Sequence, residues 1–467
     1  MFRAHRIRAI LAIILISTFQ ANGQQQVLSL KEAIQLSLQN YGTINAKASY
    51  VQASKEALKQ SQSEYLPDFV LSGQQNYGTV NGQIGPLYGY RGLSASASGP
   101  PLPTQNWNGT FGSLYLANLN WDFFNFGRAR ERINVAKAGL IRDEQDLVQE
   151  QFQHQVRVAG AYLLLQAAQR LTRSFERNLD RAQALRTVVV ARVKNGLNPG
   201  VDSSLANAEV SSAKIALVNS QDRELEQSNQ LARLLGVPAQ KFALDSLFIT
   251  RIPDAVEVKA SQIPENHPIL NYYRSRIQLS NQQAKYFKTF QYPTLSFFSV
   301  IQGRGSGIGN GFNEQNPTNI NSNYWQGVTP GRGNYLVGLG MYWNLTSTLR
   351  VRHQVASQSF ISQGLQHEYE LVNQQIKAQQ ALAVNKIENA LKNFKEAPIQ
   401  VKAASDAYMQ KSVLYRNGLA TIVEITQALY LLNRAETDRD IAYSNVWQAL
   451  LYQSGTMGDF NLFMNEF

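Results

Sequence analysis

The chain has 467 residues, of which 44% are hydrophobic and only 16% charged, with no cysteine and a formal net charge of +11. Without cysteine there is no disulfide, no thiolate metal site and no lipid-modified cysteine at a mature N-terminus, and the weight of uncharged Gln, Asn and Ser suits a body with wet inner surfaces better than a compact enzyme. The basic surplus does not read as nucleic-acid binding, because Lys and Arg alternate with Glu and Gln along predicted helices, as on a solvated face.

Residues 1–23 read as a secretory signal. Arg3, Arg6 and Arg8 form the basic start, Ala9 to Thr18 the apolar middle, and Ala21-Asn22-Gly23 a small-residue cleavage site. The apolar run is too short to span a bilayer comfortably. Cleavage is expected before Gln24, followed by export. Leu30 to Glu64 has helical composition and is stopped by Leu66-Pro67. Residues 68–78 and 111–124 then alternate with a period of two, placing Phe69, Leu71 and Tyr77, and later Phe111, Tyr115, Leu119, Trp121 and Phe123, on one face. Between them, 79–109 is rich in Gly, Ser and Pro.

From Arg128 to Lys194 there is no proline and there are two glycines, Gly139 and Gly160. One helix over this run would reach roughly 100 Å at about 1.5 Å per residue. Asn195-Gly196 stops it, since both residues accept the left-handed conformation. A second helix over 201–235 ends at Gly236-Val237-Pro238. Asn266-His267-Pro268 opens the next, to about Phe290, with Asn or His capping and Pro in the first turn. Strands are expected at 294–302 and 335–346, flanking a Gly/Asn-rich loop over 303–333. A helix over 349–416 follows, which Pro398 should kink or break. It ends at Asn417-Gly418. The last helix covers 421–455, leaving 457–467 as a tail.

The order of elements repeats, and so do the letters. Trp121-Asp122-Phe123 answers Trp343-Asn344-Leu345, Asn195-Gly196-Leu197 answers Asn417-Gly418-Leu419, and Val201, Asp202 and Ala206 fall opposite Val423, Glu424 and Ala428, always 222 positions apart. Upstream, Asn40 answers Asn266 and Pro67 answers Pro293 at 226. A duplication of this length fixes architecture before any local site is considered. Each repeat holds one long helix and two short ones, so a long rod can pair with two short rods set end to end. Ile133, Leu140 and Leu147 recur at seven, as coiled-coil-like packing requires.

Over the expected spans the four strands contain no Lys or Arg and only Asp68 and Asp122 as acids. Each is long enough to cross a bilayer when tilted, with an aromatic-rich face for lipid and a small or polar face for a water-filled lumen. Trp121 and Trp343 sit at the helix-side strand ends, where an interfacial aromatic belt would lie. Four strands cannot close a barrel, because two bare edges would face lipid, so several chains would have to pool theirs. A soluble hairpin packed on helices would share the alternation.

At these residues the chain resembles the TolC family of outer-membrane efflux proteins, over about Leu28 to Gln453. The resemblance rests on the duplicated order of helix, two strands, long helix and helix, on Asn266-His267-Pro268, on the Tyr415-x-x-Gly418 turn, and on Thr421-Ile422-Val423-Glu424-Ile425. It implies a mainly α fold with a small β part: a homotrimer in which four transmembrane strands per chain close one barrel and helical coiled-coil hairpins continue as a periplasmic tunnel. The first repeat would span 24–236, an equatorial segment 237–264, and the second repeat 265–456. The resemblance further implies a passive outer-membrane exit duct for efflux or type I secretion, without cofactor or catalysis, loaded by a periplasmic adaptor (membrane fusion) protein and an inner-membrane transporter.

In the family the hairpin tips close the entrance and meet the adaptor, which carries that role to Asn195, Gly196, Leu197, Asn417, Gly418 and Leu419. Glu424 matches the first of two acidic positions ringing the entrance, while the second is Gln427 here. Three Glu424 carboxylates near an axis would repel one another and attract cations, although Thr421-x-x-Glu424 is also a capping box. Asp202 matches a carboxylate that bonds across hairpins to the tyrosine matching Tyr415, and would otherwise cap its own helix. The family's basic partner for that tyrosine falls on Ala420. His154, His267, His353 and His367 show no metal-ligand spacing, and Gly303-x-Gly305-x-Gly307 lacks the following helix of a phosphate loop. The competing reading is a periplasmic coiled-coil scaffold or adaptor, and the transported substrate stays open.

Overall fold

In the computed structural model, residues 27–79, 81, 102–246, 248 and 266–466 are described. The expected signal segment 1–23, most of the 79–109 loop and most of the 237–264 segment lie outside them. In chain order the helices are α1 (Leu30–Asn40), α2 (Gly42–Ser63), α3 (Arg128–Lys194), α4 (Gly200–Leu235), α5 (Pro268–Lys288), α6 (Tyr324–Val328), α7 (Ser347–Arg416), α8 (Ile422–Met457) and α9 (Asn461–Met464). The strands are β1 (Asp68–Thr79), β2 (Gly109–Phe124), β3 (Thr294–Ser306) and β4 (Arg332–Tyr342). No described helix is long and apolar enough to cross a membrane.

The chain divides into two compact units. One takes Met1–Val51, Asp143–Arg274 and His367–Phe467. Its helices follow from their ends. Ser29 opens α1 with a reciprocal capping box to Glu32, which satisfies two otherwise orphaned donors. Glycines with positive φ end α4 at Gly236 (67°) and α8 at Gly458 (71°). Both are also closely packed, Gly236 against the last residue of α1 and Gly458 against the residues that open α5. A Cβ on Gly236 would lie 2.8 Å from the Asn40 carbonyl oxygen, and one on Gly458 2.6 Å from Cδ2 of His267. The duplication is therefore visible as a contact, with the last helix of each repeat closing against neighbouring equivalent places, the junction of α1 with α2 and the start of α5.

The single helix expected over Leu30–Glu64 is interrupted. Tyr41 is extended (φ −72°, ψ 115°) and its ring stacks on His154 at 3.9 Å, so a tertiary partner overrides a run with adequate helix propensity. Pro398, in contrast, does not break α7, which runs through it. The ring sits on the exposed side of the helix, next to buried Ala397, where water can serve the carbonyl that proline leaves without a donor. A core around Tyr162, Leu165, Leu231, Leu235, Trp447 and Phe463 joins α1, α3, α4, α8 and α9. Two ionic contacts tie α3 to α8 through this unit. Arg181 pairs with Glu436 through two bonds of 3.1 and 2.7 Å, and Arg170 reaches the fully buried Asp440 at 3.0 Å.

The second unit takes Gln52–Arg142 and Ser275–Gln366. Its sheet has the order β1-β2-β3-β4 with every neighbour antiparallel, so β2 and β3 join the repeats. Phe69, Leu119, Ser299 and Val337 align across the four strands, as do Leu71, Ala117, Ile301 and Tyr335. This is the apolar face. The other carries Asp68 and Asn120, Asn118, and Gln302 beside Asn334. Two expectations are corrected. β4 begins and ends three or four residues earlier than 335–346, leaving Trp343 just past its end, because β4 keeps register with the longer β3. The strands are also not free of basic residues. The extended ladder takes in Arg304 and Arg332, which stand directly opposite each other.

The Gly303-x-Gly305-x-Gly307 spacing has a packing cause. The segment containing α6 folds back onto the apolar face at the loop end of β2 and β3. A Cβ on Gly305 would stand 2.7 Å from the carbonyl oxygens of Gly327 and Thr329. Ser113 donates to the Val328 carbonyl at 2.8 Å, and Tyr324 donates to Gln75 at 2.9 Å. Only glycine lets backbone approach backbone this closely.

Candidate functional site

The two helical hairpins turn by the same device. At the first tip Leu197 N–H donates to the Arg192 carbonyl and Gly196 N–H to that of Val193. At the second, Leu419 donates to Leu414 and Gly418 to Tyr415. Gly196 and Gly418 have φ of 68° and 77°. Both are Schellman closures, with Asn195 and Asn417 as the last half-helical residues. The turns project apolar side chains at matching places: Leu197, Val201, Leu419 and Val423 are each more than 60% or about 60% exposed. Behind them Leu185, Val189, Ala206, Val210, Ile425 and Leu429 form a small core that holds all four helix ends together.

Asp202 and Tyr415 come close but do not bond directly. Asn198 stands between them, its amide nitrogen 2.7 Å from Asp202 Oδ2 and 3.4 Å from the Tyr415 hydroxyl. Nor does Asp202 cap α4. Pro199 is the N-cap, and Asp202 lies in the first turn with its carboxylate drawn back to Asn198. Burial raises the Tyr415 pKa above the ordinary phenol value, and the nearby Asp202 charge adds to the rise. The phenol therefore stays protonated at any physiological pH.

The basic partner that Ala420 fails to supply comes from the other tip. Arg192 donates Nε to Asn198 Oδ1 at 2.7 Å and Nη1 to the Arg416 carbonyl at 2.6 Å. Its guanidinium also lies 5.6 Å from the Tyr415 ring centre. Its position explains both contacts. Arg192 is two residues from the end of α3, where a planar cation reaches the unpaired carbonyls of a neighbouring helix end. Sequence comparison missed it because its counterpart in the other repeat is Leu414.

Glu424 takes part in a separate contact. Thr421 Oγ1 accepts from the Glu424 N–H at 3.4 Å, so the capping role is real. The carboxylate also meets Lys411 Nζ at 2.5 Å. Lys411 first, and then Thr421, lowers the Glu424 pKa, which keeps it ionised but largely neutralised by a cation from α7. Gln427 is exposed one turn further along α8. Lys411 carried no signal in the sequence, since it is not an i, i+4 neighbour of Glu424.

At the helix-side end of the sheet the two tryptophans act alike. Trp121 Nε1 donates to the Tyr65 carbonyl at 2.9 Å, and Trp343 Nε1 to that of Gln291 at 3.1 Å. The acceptors are themselves equivalent, each two residues before Pro67 or Pro293. Each indole thus satisfies its one polar atom with a backbone carbonyl at the end of the sheet. No cluster of His, Asp or Glu suited to a metal ion occurs among the described residues.

The family model described as outer membrane efflux protein matches residues 33–237. No curated protein matches the chain. Solved structures share its fold at low identity. VceC of Vibrio cholerae, an outer membrane protein, has a TM-score of 0.72 at 17% identity, covering 92% of this chain and 96% of its own. CmeC, an outer membrane channel of Campylobacter jejuni, gives 0.74 at 12% identity over 92% and 85%. The MtrE outer membrane channel of Neisseria gonorrhoeae, in its open state, gives 0.68 at 14% over 92% and 89%. CmeC and MtrE are channels. The family model thus matches the first part of the chain, and the chain as a whole shares the mainly helical fold, with a small antiparallel sheet, of these solved outer-membrane proteins.

Proposed function

We propose that three copies of this chain form a passive exit duct in the outer membrane, serving a multi-component efflux or type I secretion system. The observation that carries this is the state of the sheet. It is four strands wide with two open edges, and its outermost strands hold the most exposed apolar side chains, including Leu71 at 71%, Tyr335 at 83% and Leu339 at 74%. Such a surface is an aggregation hazard in water, and its bare edges are not tolerated in hydrocarbon. Closure of three sheets into twelve strands removes both problems, with the apolar face toward lipid and Trp121 and Trp343 at the periplasmic interface.

The helical hairpins then reach into the periplasm. Asn195 to Leu197 and Asn417 to Leu419, with exposed Leu197 and Leu419, are the surface offered to a periplasmic adaptor, which couples the duct to an inner-membrane transporter. Arg192, Asn198, Asp202 and Tyr415 fasten the two tips of one chain together and hold the entrance narrow. Glu424 and Gln427 line that entrance, with the Glu424 charge moderated by Lys411. Substrate passes without chemistry. Membrane fractionation tests the reading: the chain should be an outer-membrane trimer in detergent that dissociates on heating. A water-soluble monomer released by washing would refute it and favour a periplasmic scaffold.

A further inference from the structure

We propose that the seam between neighbouring copies repeats the seam between β2 and β3 within one chain. β4 then pairs with β1 of the next copy in a fixed register, and Arg350 is held there by Asp68. The inference rests on the trimer reading above and adds to it a register and an ionic contact. The two hairpins are built alike. Asp68 pairs with Asn120 in the first and Thr294 with Tyr342 in the second, the same pair shifted by 226 and 222 positions. The indole bonds of Trp121 to Tyr65 and of Trp343 to Gln291 follow the same two shifts. So does the turn leading into each sheet, where Leu66 N–H donates to the Ser63 carbonyl and Tyr292 N–H to that of Thr289.

The two shifts carry the β2–β3 seam onto the open edges. Asn120 faces Phe298 and Tyr115 faces Gly303, which places Tyr342 opposite Ser72 and Val337 opposite Tyr77 of the next copy. At this register the apolar faces of β4 and β1 coincide, and a slip of one residue would turn one of them inward. Within the chain, Arg128 at the start of α3 closes the seam. Its guanidinium donates to the Thr294 hydroxyl at 3.3 Å and to the carbonyls of Tyr292 and Thr289 at 3.2 and 3.5 Å. It also lies 4.7 Å from the Phe290 ring centre. The equivalent cation is Arg350, exposed in the first turn of α7, and the equivalents of its partners are Asp68, Leu66, Ser63 and Glu64. A hydroxyl and a phenyl ring are thereby replaced by two carboxylates. Thr294 and Thr289 are buried where the inner seam closes, whereas Asp68 and Ser63 stand exposed on the open edge. Glu64 pairs with Arg132 of its own chain, so Asp68 is the charge that Arg350 meets. A guanidinium fork on a carboxylate fastens separate chains more strongly than a hydroxyl does.

The chain has no cysteine, so introduced pairs report without background. Within one copy β1 and β4 are three strand spacings apart, roughly 14 Å at about 4.8 Å each, beyond the reach of a disulfide. Ser72→Cys/Tyr342→Cys should therefore give disulfide-linked dimers and trimers of the chain on a non-reducing gel. Leu71→Cys/Tyr342→Cys, whose side chains leave opposite faces at this register, should not. Arg350→Gln should speed dissociation of the detergent-solubilised trimer about ten-fold, the loss of one good charge-assisted contact. Asp68→Arg and Arg350→Asp should each dissociate faster still, and the two combined should recover most of the wild-type rate, since every seam again holds one charge of each sign. Intact trimers that cross-link through 71 and 342, or fail to cross-link through 72 and 342, overturn the register. Trimers of Arg350→Gln as long-lived as wild type, or a combined reversal no better than the single ones, overturn the ionic contact. If the Arg350 variants do not assemble, the cysteine pairs decide. A wild-type protein that forms no trimer removes the duct reading, and this proposal with it.

Discussion

Arg192→Ala removes a cation that spans the two hairpin tips. The side chain donates to Asn198 and to the Arg416 carbonyl and stacks near Tyr415. Charge-assisted hydrogen bonds contribute about 1.5–3 kcal/mol when shielded from water, but this side chain is half-exposed, and about 1 kcal/mol each is the appropriate scale. The ring contact adds about 0.5 kcal/mol. The total, about 2–3 kcal/mol per chain, corresponds to roughly a thirty-fold or greater shift toward a parted tip. The stem of each hairpin should be unaffected, since Leu185, Val210 and Leu429 pack without Arg192. Single-channel conductance in planar bilayers and uptake of a large antibiotic normally excluded by the outer membrane both read the change, and both should rise. Arg192→Lys should fall between, keeping charge but losing the fork. Wild-type conductance and exclusion in an intact Arg192→Ala trimer would refute the clamp.

Other consequences concern stability. Gly458→Ala forces an alanine to φ 71° and drives its methyl into His267, so stability to heat should fall by the equivalent of about 2 kcal/mol or more. Gly364→Ala, on α7 with open space around it, should instead stabilise by about 0.5–1 kcal/mol. Asp440→Asn leaves Arg170 and Arg439 facing a neutral amide at a buried site, and a loss of about 3 kcal/mol is expected from chemical denaturation. Burial lowers the pKa of His154 and of His267 below the ordinary value of 6.5. The unfolded chain therefore binds more protons near that value, so their contribution is complete above about pH 6.5 and declines as pH falls through the lowered folded pKa. His154→Gln should flatten this dependence in a melting series from pH 8 to 5.

How far the sequence could be read depended on whether a signal was local. Asn-Gly stops and the proline before each sheet are local, and the hairpin tips fall where those residues predict. Tyr41 was unreadable, because what extends it is a ring on another helix. The same holds for Lys411 against Glu424 and Arg192 against Tyr415, pairs separated by 13 and 223 positions and brought together only by hairpin packing. Asp202 shows the limit of transferring a role by alignment: the right carboxylate is at the tip, but Asn198 takes its bond.

By itself, the sequence determined the repeat, the period of each element and the residues that end it, because propensity, alternation and backbone freedom act over a few neighbours along the chain. Tertiary structure alone decided which ions meet, why glycines line up beneath α6, and that two arginines face each other across β3 and β4. Those outcomes depend on register and approach between distant segments, which no short window of residues encodes.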